Sequence, residues 1–488
     1  MSAPVLVVGA GPTGLAMAVE LARRGVAVRV VDAAEAPTSE TRALGVQPRT
    51  LELFERLGLA GAAVADGVPV TEFRLFSEGV QFLDMSLRGL DTPHPYLLML
   101  PQPRVERLLA ARLAELGVRV QRPVELTGFT QRPDEVEVEL RHGDGAVERA
   151  RVSWLVGCDG AHSAVRRRLG VPFLGRPFEE NFAVADARMD WSLPHDVFHS
   201  FLNRGRFVAY FPMPGGLHRI TIAYRPGSAP TGEVTLDELQ AAVDRCAPAG
   251  ARVGDIREAG RFRIHQRKVA RHSVGRVFLA GDAAHVHSVV GGQGMNTGIQ
   301  DAFNLGWKLA AVANGRAGAG LLDSYASERS PVAHRLVRGT RRATRLTLLR
   351  APVATAARRH LAPRITARPF VRRTLSRALT QLDVSYRDGT GGSDGRRLAV
   401  GDRFPEIGPQ HPDRFTLLVF GAEPPGLRAV LGDRTDLFDI RPVTVPRAGA
   451  RIGIAGDGLV LVRPDGYLAL LGGGLDDLAA YLTKTFAR

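Results

Sequence analysis

A glycine-rich turn near the N-terminus has the residue types and the spacing that bind a dinucleotide. Gly9, Gly11 and Gly14 follow an apolar stretch, and Asp32 ends the next apolar stretch 18 residues after Gly14. In such a turn Gly9 permits the tight bend, Gly11 lets the backbone approach a pyrophosphate, and Gly14 lets a helix pack closely on a strand. The phosphates would lie at the helix N-terminus, and Asp32 can accept hydrogen bonds from a ribose. A glycine turn that serves only packing is the alternative.

Two further segments place a carboxylate between a strand and a helix. The segment VGCDGAHSAVR ends a strand at Asp159, although its pattern also fits an ordinary capped strand-to-helix turn. The segment GDAAH places Asp282 at a strand end, and GGQGMN at 291–296 then starts a second glycine-rich helix. An aspartate at a strand end can hold a polyol hydroxyl, and free N–H groups at a helix start can stabilise an anionic ring carbonyl.

The elements around these motifs predict an α/β protein with an inserted antiparallel sheet. Residues 4–32 predict a strand, a helix and a second strand, which is a complete βαβ unit. Alternation over 197–224 predicts antiparallel strands that turn at 214–216, and the segment 277–282 predicts a strand that restarts the α/β pattern. Apolar residues at three- and four-residue spacing predict helices at 48–57, 103–116, 236–245 and 298–313.

These patterns divide the chain into four predicted segments. Residues 1–172 form the first part of a Rossmann-like dinucleotide-binding domain, 173–270 an antiparallel-sheet domain, and 271–386 the return of the first domain with arginine-rich helices. A Gly-rich linker then opens a small C-terminal α/β domain, 387–488, which has turns such as Arg463-Pro464-Asp465-Gly466. Because this last domain contains no cysteine, thiol–disulfide exchange is excluded there, and we expect a packing or dimerisation role.

The composition indicates a globular protein and excludes several other classes. The chain has 488 residues, of which 45% are hydrophobic and 23% charged, and no apolar run approaches the roughly 18 residues of a membrane span. Its 2 cysteines cannot build a disulfide framework, so we expect a reducing, cytoplasmic environment. His285 and His287 have no third ligand nearby in the sequence, so we expect no metal.

The formal net charge of +14 is concentrated in one segment. Between Arg335 and Arg377 there are thirteen arginines and no Lys, Asp or Glu. The segment can offer a surface to an anion, a membrane or an acidic partner, but a solvated helical segment rich in Arg and Ala is the simpler interpretation. No zinc spacing, aromatic interleaving or recognition helix accompanies it. We therefore expect neither a nucleic-acid partner nor a membrane partner.

Taken together, the three motifs in this order and spacing resemble the class A flavoprotein monooxygenases, the para-hydroxybenzoate hydroxylase-like family. The segment GDAAHVHSVVGGQGMNTGIQDAFNLGWKLA most resembles the branch of aromatic and polyketide hydroxylases with a thioredoxin-like C-terminal domain. The resemblance covers essentially the whole chain. It implies a Rossmann-like FAD-binding domain, an antiparallel-sheet substrate domain that interrupts it, and a thioredoxin-like C-terminal domain without cysteines.

The resemblance also implies the residues that contact FAD, from the pyrophosphate and ribose to the adenine, the ribityl chain and the isoalloxazine ring. Matched to this sequence, these residues are Gly9, Gly11, Gly14, Asp32, Arg42, Gln102, Val124, Asp159, Asp282, Gly292, Met295 and Asn296. In the family the motif at Asp159 serves both FAD and NAD(P)H. A shared site of this kind explains why this chain has no second glycine-rich nucleotide turn.

The reaction implied by the resemblance is the insertion of one oxygen atom from O2. NADPH or NADH reduces FAD, O2 adds to form a flavin hydroperoxide, and an aromatic, polycyclic natural-product intermediate is hydroxylated. No acid–base dyad is required, so we predict no catalytic side chain. Epoxidation or Baeyer–Villiger-type insertion is the enzymatic alternative. Halogenation is disfavoured because the Trp-x-Trp-x-Ile-Pro signature of flavin-dependent halogenases is missing.

One position departs from the family pattern. The family commonly has a proline two residues before the first glycine of GGQG, where this chain has Val289. Proline would fix φ and remove an N–H, so valine changes the rigidity of this loop. The change favours a third interpretation, a flavin-bound protein that binds or sequesters a ligand without oxygenating it.

Alternation in the inserted sheet suggests which residues line the substrate pocket. Phe211 and Met213 share one face, and Arg219 and Thr221 share it on the return strand. By resemblance Arg219 also lies near the flavin, whereas Phe211 and Met213 fit a core position equally well. Tyr210 and His199 can bond a phenol, but we interpret both as structural. We expect a monomer or a homodimer.

Overall fold

The structure of the protein, a computed structural model, describes residues 3–203, 206–287, 292–349, 351–387, 398–405, 411, 413–443, 452, 454 and 456–486, without the side chains of Phe178 and Glu179. The N-terminal region contains β1 (Val5–Val8), α1 (Pro12–Ala22), β2 (Val28–Val31), β3 (Gly45–Val46), α2 (Pro48–Leu57), α3 (Ala60–Asp66), β4 (Val68–Val70), β5 (Glu72–Ser77), β6 (Val80–Ser86), β7 (Leu97–Met99), α4 (Gln102–Glu115), β8 (Val120–Gln121), β9 (Val124–Gln131), β10 (Val136–His142), β11 (Val147–Val152), β12 (Trp154–Gly157) and α5 (Ala164–Arg168).

The rest of the chain first adds strands, then helices, then a second α/β unit. The inserted region contains β13 (Phe173–Asp190), β14 (Phe198–Asn203), β15 (Arg206–Met213), β16 (Leu217–Ala223), α6 (Leu236–Cys246) and β17 (Arg252–Val269). The returning region contains β18 (Ser273–Val274), β19 (Val277–Leu279), β20 (His285–Val286), α7 (Gly294–Ala313), α8 (Asp323–Leu348), α9 (Pro352–His360), α10 (Ala362–Thr366) and α11 (Pro369–Leu379), with 3₁₀ turns at Gly281–Ala283 and Ala319–Leu322. The C-terminal region contains β21 (Phe415–Phe420), α12 (Leu427–Leu431), a 3₁₀ turn (Gly432–Leu437), β22 (Phe438–Val443), β23 (Gly458–Val462), β24 (Leu468–Gly473) and α13 (Leu475–Phe486).

A parallel sheet with the order β18-β19-β12-β1-β2-β8 carries the nucleotide motifs, and only its edge pair β18 and β19 is antiparallel. Strands β1 and β12 are short, apolar and fully buried, as expected for a parallel sheet that is covered on both faces. Helix α1 packs against α7 and α4. The fold is therefore a Rossmann-like α/β domain, and its chain leaves for the inserted sheet before it returns with β19.

The inserted sheet has the order β20-β17-β13-β16-β15-β14-β5-β6. The predicted antiparallel strands over 197–224 are confirmed as β14, β15 and β16, and Gly215 and Gly216 have the positive φ of 78° and 72° that their turn requires. Strands β5 and β6 from the N-terminal region complete the sheet. Their membership was not predicted, because alternation within a strand does not identify its neighbour.

The four predicted helices are confirmed as α2, α4, α6 and α7, and α7 begins earlier than predicted, at Gly294. The strand predicted over 277–282 is shorter, because β19 ends at Leu279 and Gly281, with a φ of 60°, starts a 3₁₀ turn. In the C-terminal domain the sheet order is β22-β21-β23-β24, with β21 and β22 parallel, as in a thioredoxin-like unit. Among the described residues, no helix is both long enough and apolar enough to cross a membrane.

Candidate functional site

The glycine turn between β1 and α1 has a geometry that needs glycine at two positions and leaves space at the third. Gly9 has a φ of 98°, and a Cβ there would lie 2.4 Å from the carbonyl oxygen of Cys158. A Cβ on Gly14 would lie 1.9 Å from the carbonyl oxygen of Gly9, whereas a Cβ on Gly11 would meet no atom within 4 Å. Helix α1 begins after Gly11 without a side-chain cap. The backbone at this helix start is thus open to an anionic group.

Asp32 holds the turn in place as well as ending β2. Its two carboxylate oxygens accept hydrogen bonds from the backbone N–H of Ala10 at 2.6 Å and of Ala34 at 2.9 Å. Arg122 forms an ion pair with Asp32 at 3.0 Å, and the backbone N–H of Val124 donates to the Asp32 carbonyl at 2.9 Å. The structure therefore brings the expected residues Asp32 and Val124 together, and it adds Arg122, for which the sequence offered no signal.

Gln102 and Arg42 lie on segments that are bonded to each other, since the Gln102 N–H donates to the Ala43 carbonyl at 2.9 Å. Gln102 begins α4 and donates to Glu106 at 2.9 Å. Burial raises the pKa of Glu106, while Arg122 and Arg42 lower it and Asp32 raises it further. Arg42 is exposed and pairs with Glu40 at 3.0 Å. Glu106 was not predicted, and its charged neighbours show that these expected contacts converge beside the glycine turn.

The two carboxylate oxygens of Asp159 have different surroundings, because one caps a helix and the other has no partner among the described residues. Its Oδ2 accepts hydrogen bonds from the backbone N–H of Ala164 at 2.7 Å and of Val165 at 3.1 Å, and these bonds cap α5. Its Oδ1 is buried and has no hydrogen-bond partner among the described residues. The capped-turn interpretation therefore holds for this segment, and one carboxylate oxygen remains for a ligand.

Asp282 lies in the 3₁₀ turn between β19 and β20, and this turn packs against α7. The side chain is exposed, yet protein groups surround it so closely that burial raises its pKa, while His285 and Arg42 lower it. An accessible carboxylate in such surroundings can accept hydrogen bonds from a ligand hydroxyl. Asp282 therefore lies within electrostatic range of Arg42, and its contact with FAD stays a prediction.

Asp301, which the sequence did not single out, fixes the loop that carries Asp282. Asp301 Oδ2 accepts hydrogen bonds from the Gly281 N–H at 3.0 Å and from His285 Nε2 at 2.7 Å, and its Oδ1 pairs with Arg329 at 2.6 Å. Burial alone would raise the pKa of Asp301, but Arg329 and His285 hold it well below its ordinary value. His285 is thus engaged by a carboxylate. The part of the chain that the structure describes contains no cluster of His, Cys, Asp and Glu suited to a metal.

The start of α7 carries the residues expected beside the flavin ring. Gly292 has a φ of 59°, and Met295 is half-buried against the core. Asn296 is fully buried: its Oδ1 accepts from the Gln47 N–H, and its Nδ2 donates to the carbonyls of Gly45 and Gly292, each at 2.8 Å. Asn296 therefore ties the loop to the β3–α2 connection. Its direct contact with the ring stays a prediction, and Val289 lies outside the described residues.

The predicted substrate residues do share one face of the inserted sheet. Phe211 lies directly opposite Arg219, and Thr221 lies opposite Ala209 on the same side. Phe211 and Met213 pack with residues of β7 and with Leu44, so this face is turned toward β3 and β7, where Asn296 is bonded. The contact of these four side chains with a substrate stays a prediction.

Arg219 is buried and fully paired. It forms two hydrogen bonds of 2.7 Å with the carboxylate of Asp186 and a third of 2.7 Å with the carbonyl of Thr41. Such a bidentate pair fixes the guanidinium rigidly. Arg219 therefore links the inserted sheet to the segment that carries Arg42, and Asp186 is a residue that sequence reasoning missed.

Most of the chain matches a known protein family. Residues 2–340 match the protein family described as FAD binding domain. The chain belongs to this family. It is 38% identical to 6-methylpretetramide 4-monooxygenase of Streptomyces rimosus, over 96% of this chain and 90% of that protein. It is similar to the solved structure of an anhydrotetracycline hydroxylase from Streptomyces rimosus, with 32% identity, a TM-score of 0.82 and coverage of 100% of this chain and 99% of the other.

A further solved structure, described as a Diels-Alderase of pyrroindomycin biosynthesis, is 30% identical with a TM-score of 0.78 and covers 99% of both chains. The named relatives and the family show that this chain is an FAD-dependent monooxygenase of the aromatic-hydroxylase type. The residues fit this cofactor: the space at Gly11 and the uncapped start of α1 suit its pyrophosphate, and the carboxylate of Asp282 suits a hydroxyl of its ribityl chain. The predicted family, fold class and cofactor are confirmed.

Proposed function

We propose that this monooxygenase hydroxylates an aromatic, polycyclic natural-product intermediate, with NADPH or NADH as the reductant. The observation that carries the proposal is the position of Phe211 and Met213 on the sheet face turned toward the start of α7. An apolar face of this kind suits a flat, hydrophobic substrate. The similarity to proteins named for tetracycline intermediates supports the same substrate class.

FAD, when bound and reduced, would activate O2 so that one oxygen atom of O2 can be inserted into the substrate. The chain's own residues would bind and orient the reactants. The starts of α1 and α7 present backbone N–H groups to the pyrophosphate and to the ring. The apolar face around Phe211 excludes water from the reacting region. Arg219 is engaged by Asp186, so we assign it the role of fixing the pocket wall, with Thr221 beside it on the same face.

Asp159 is the residue that we propose for binding the reductant. Asp159 retains one buried oxygen without a partner among the described residues, and this oxygen can accept a hydrogen bond from a transiently bound nicotinamide nucleotide. The need for NADPH or NADH supports a cytoplasmic location for the reaction. We propose a monomer or a homodimer, which light scattering distinguishes as 52.6 kDa or twice that mass.

The test mixes the purified holoenzyme anaerobically with NADPH or NADH, with and without a panel of polycyclic phenols and hydroxyquinones. A substrate is expected to accelerate flavin bleaching by at least about tenfold, since binding should bring the reactants into position. Admission of ¹⁸O2 should then yield a product heavier by one labelled oxygen atom. Flavin reduction that no aromatic accelerates, with no labelled product, would contradict the proposal.

The product also decides between the alternatives. A ring hydroxyl supports hydroxylation, whereas an epoxide or a lactone supports epoxidation or Baeyer–Villiger-type insertion. The similarity to a protein described as a Diels-Alderase favours one non-oxygenating alternative, and Val289 is in keeping with it. Under that alternative the substrate is bound or rearranged without stoichiometric uptake of O2, and Val289→Pro leaves O2 uptake unchanged.

A further inference from the structure

The turn Arg463-Pro464-Asp465-Gly466 joins strands β23 and β24 of the C-terminal domain and is buried against the FAD-binding domain. The Gly466 N–H donates to the Arg463 carbonyl at 2.8 Å, and the Arg463 N–H donates to the Tyr467 carbonyl at 2.8 Å. Gly466 has a φ of 81°, and the side chains of Arg463 and Asp465 are 8% and 1% exposed. A charged turn is normally solvated, so its burial calls for a reason.

One side of the turn binds helix α2. Arg49 donates to the Asp465 carbonyl at 2.5 Å, and Arg56 donates to the Pro464 carbonyl at 3.0 Å. A Cβ on Gly466 would lie 2.9 Å from a guanidinium nitrogen of Arg49, which shows how closely the side chains of α2 approach the turn. The turn therefore supplies two backbone carbonyls to two buried cations of α2.

The other side of the turn binds helices α7 and α8. Arg463 donates to both carboxylate oxygens of Glu328 at 2.6 and 2.9 Å and to both oxygens of Asp465 at 3.0 and 2.5 Å. Lys308 of α7 donates to Glu328 at 2.7 Å and to Asn304 at 2.9 Å. Burial alone would lower the pKa of Arg463, but Asp465 and Glu328 raise it well above its ordinary value.

Two of the helices that the turn binds are also connected to residues 292–296, which we call the flavin loop: α7 contains Gly294–Asn296, and Gln47 immediately before α2 is bonded to Asn296. Asn296, at the start of α7, is bonded to the Gln47 N–H immediately before α2 and to the Gly292 carbonyl. Farther along α7, Asn304 donates a hydrogen bond to Asp465 of the turn at 3.4 Å, and Lys308 donates to Asn304 at 2.9 Å. Trp307, between them, lies in the core of the C-terminal domain. Helix α7 thus spans from the flavin loop to the C-terminal domain.

We propose that the Arg463–Gly466 turn is a positioning element of the flavin site, which fixes α2 and α7 relative to each other so that the Gly292–Asn296 loop is held in its binding geometry. The C-terminal domain then has a role in cofactor binding although none of its described residues is among the predicted FAD contacts. Arg463 and Asp465 are positioning residues. They act through α2 and α7 and need not touch the cofactor.

The test is the Asp465→Asn holoenzyme. The substitution keeps the shape of the side chain but removes the charge that pairs with Arg463. We expect the dissociation constant of FAD to rise about tenfold, within the roughly 5–150-fold range of coupling between sites. We also expect the visible circular dichroism of the bound flavin to change, because that signal reports the surroundings of the ring. The fluorescence of FAD that is released on dilution gives its dissociation constant.

Three further variants keep the test decisive. Arg463→Lys retains the charge but cannot bridge Glu328 and Asp465 in the same way, so it should show the same two effects even if Asp465→Asn does not fold. Leu478→Ala, in the core of the C-terminal domain, should lower the melting temperature without changing the flavin signal. Arg428→Ala, which is exposed in the same domain, should change neither.

Unchanged FAD affinity and circular dichroism in both turn variants would overturn the proposal. A change in Leu478→Ala equal to that in Asp465→Asn would also overturn it, since the effect would then follow from loss of domain stability. The proposal holds if the flavin signal responds to the turn variants alone.

Discussion

The two faces of the inserted sheet are made by alternate residues of the same strands, and each face buries polar side chains in different surroundings. On the face toward the flavin loop, Arg219 is bonded to Asp186 and to the Thr41 carbonyl. On the other face, covered by α6, Tyr210 and His218 are buried and their side-chain polar atoms find no hydrogen-bond partner among the described residues.

The polar rings of the back face pack together, and His199 also donates from Nδ1 to the Val197 carbonyl at 3.0 Å. Trp191 lies 4.7 Å from the ring of Tyr210 and 5.4 Å from the rings of His199 and His218. Burial lowers the pKa of His199 and of His218 to about 4, so both imidazoles are neutral at pH 7. Neutral rings tolerate desolvation better than charges do. On the flavin-facing side the charged pair of Arg219 and Asp186 is thus fixed by hydrogen bonds, whereas on the back face the neutral rings of Tyr210 and His218 are held by packing.

The largest expected effect comes from breaking the pair on the flavin-facing side. Asp186→Ala leaves the buried guanidinium of Arg219 without its carboxylate, and removal of one partner of a buried pair costs about 3–5 kcal/mol. Urea unfolding measures the loss. Asp190→Ala, an exposed position on the same strand, is the control and should change the free energy of unfolding by less than about 0.5 kcal/mol. Equal effects of the two variants would refute the distinction between buried pair and exposed charge.

The back face should make the protein sensitive to acid. Unfolded histidines take up a proton near pH 6.5, whereas His199 and His218 in the folded protein do so only near pH 4. The unfolded state therefore binds more protons between these values, so stability falls as pH falls from about 6.5 to about 4, by about 1.4 kcal/mol per pH unit for each histidine.

Burial also lowers the pKa of His272, to about 3, so this histidine adds to the decline. His218→Leu removes one contribution of the back face and should make the decline less steep, which melting temperatures measured from pH 7 to pH 5 can show. His360→Gln, at an exposed site, should leave the slope of the wild type. If His218→Leu has the wild-type slope, the imidazole of His218 is not the neutral buried group that its surroundings indicate.

Some features of this molecule can be predicted from local sequence, and others depend on contacts between distant residues. The glycine turn and the four helices follow from local periodicity and local chain geometry, and the structure has them close to where they were predicted. The partners of Asn296 could not be predicted, because Gln47 is 249 residues away and no local pattern encodes the contact.

The ion pair between Asp186 and Arg219 could not be predicted from the sequence for the same reason. Asp186 and Arg219 lie on neighbouring strands, and the chain between them gives no sign that one will neutralise the other. The turn at 463–466 was recognised as a turn from its Pro, Asp and Gly, but its burial depends on helices more than 130 residues away in sequence. Local rules predict elements, whereas the partners that orient a site come from tertiary packing.

The smallest expected effects separate the two faces at neighbouring residues. Phe211→Ala removes a half-buried ring, 4.7 Å from the ring of Phe198, from the face that we assign to the substrate. We expect kcat/KM for the aromatic substrate to fall about tenfold, equivalent to about 1.4 kcal/mol, because an apolar contact in the pocket is lost. FAD affinity should stay within about twofold, since Phe211 is not among the predicted cofactor contacts.

Tyr210→Phe is the matched change on the back face. Its hydroxyl is buried without a described partner, and deletion of an unsatisfied buried polar group should leave stability equal or raise it by about 1 kcal/mol. Because the ring stays in place against Trp191, kcat/KM should not change. Steady-state kinetics and urea unfolding of the two variants together test the assignment. A fall in kcat/KM for Tyr210→Phe as large as that for Phe211→Ala would place the substrate on the histidine side of the sheet and reverse the roles of the two faces.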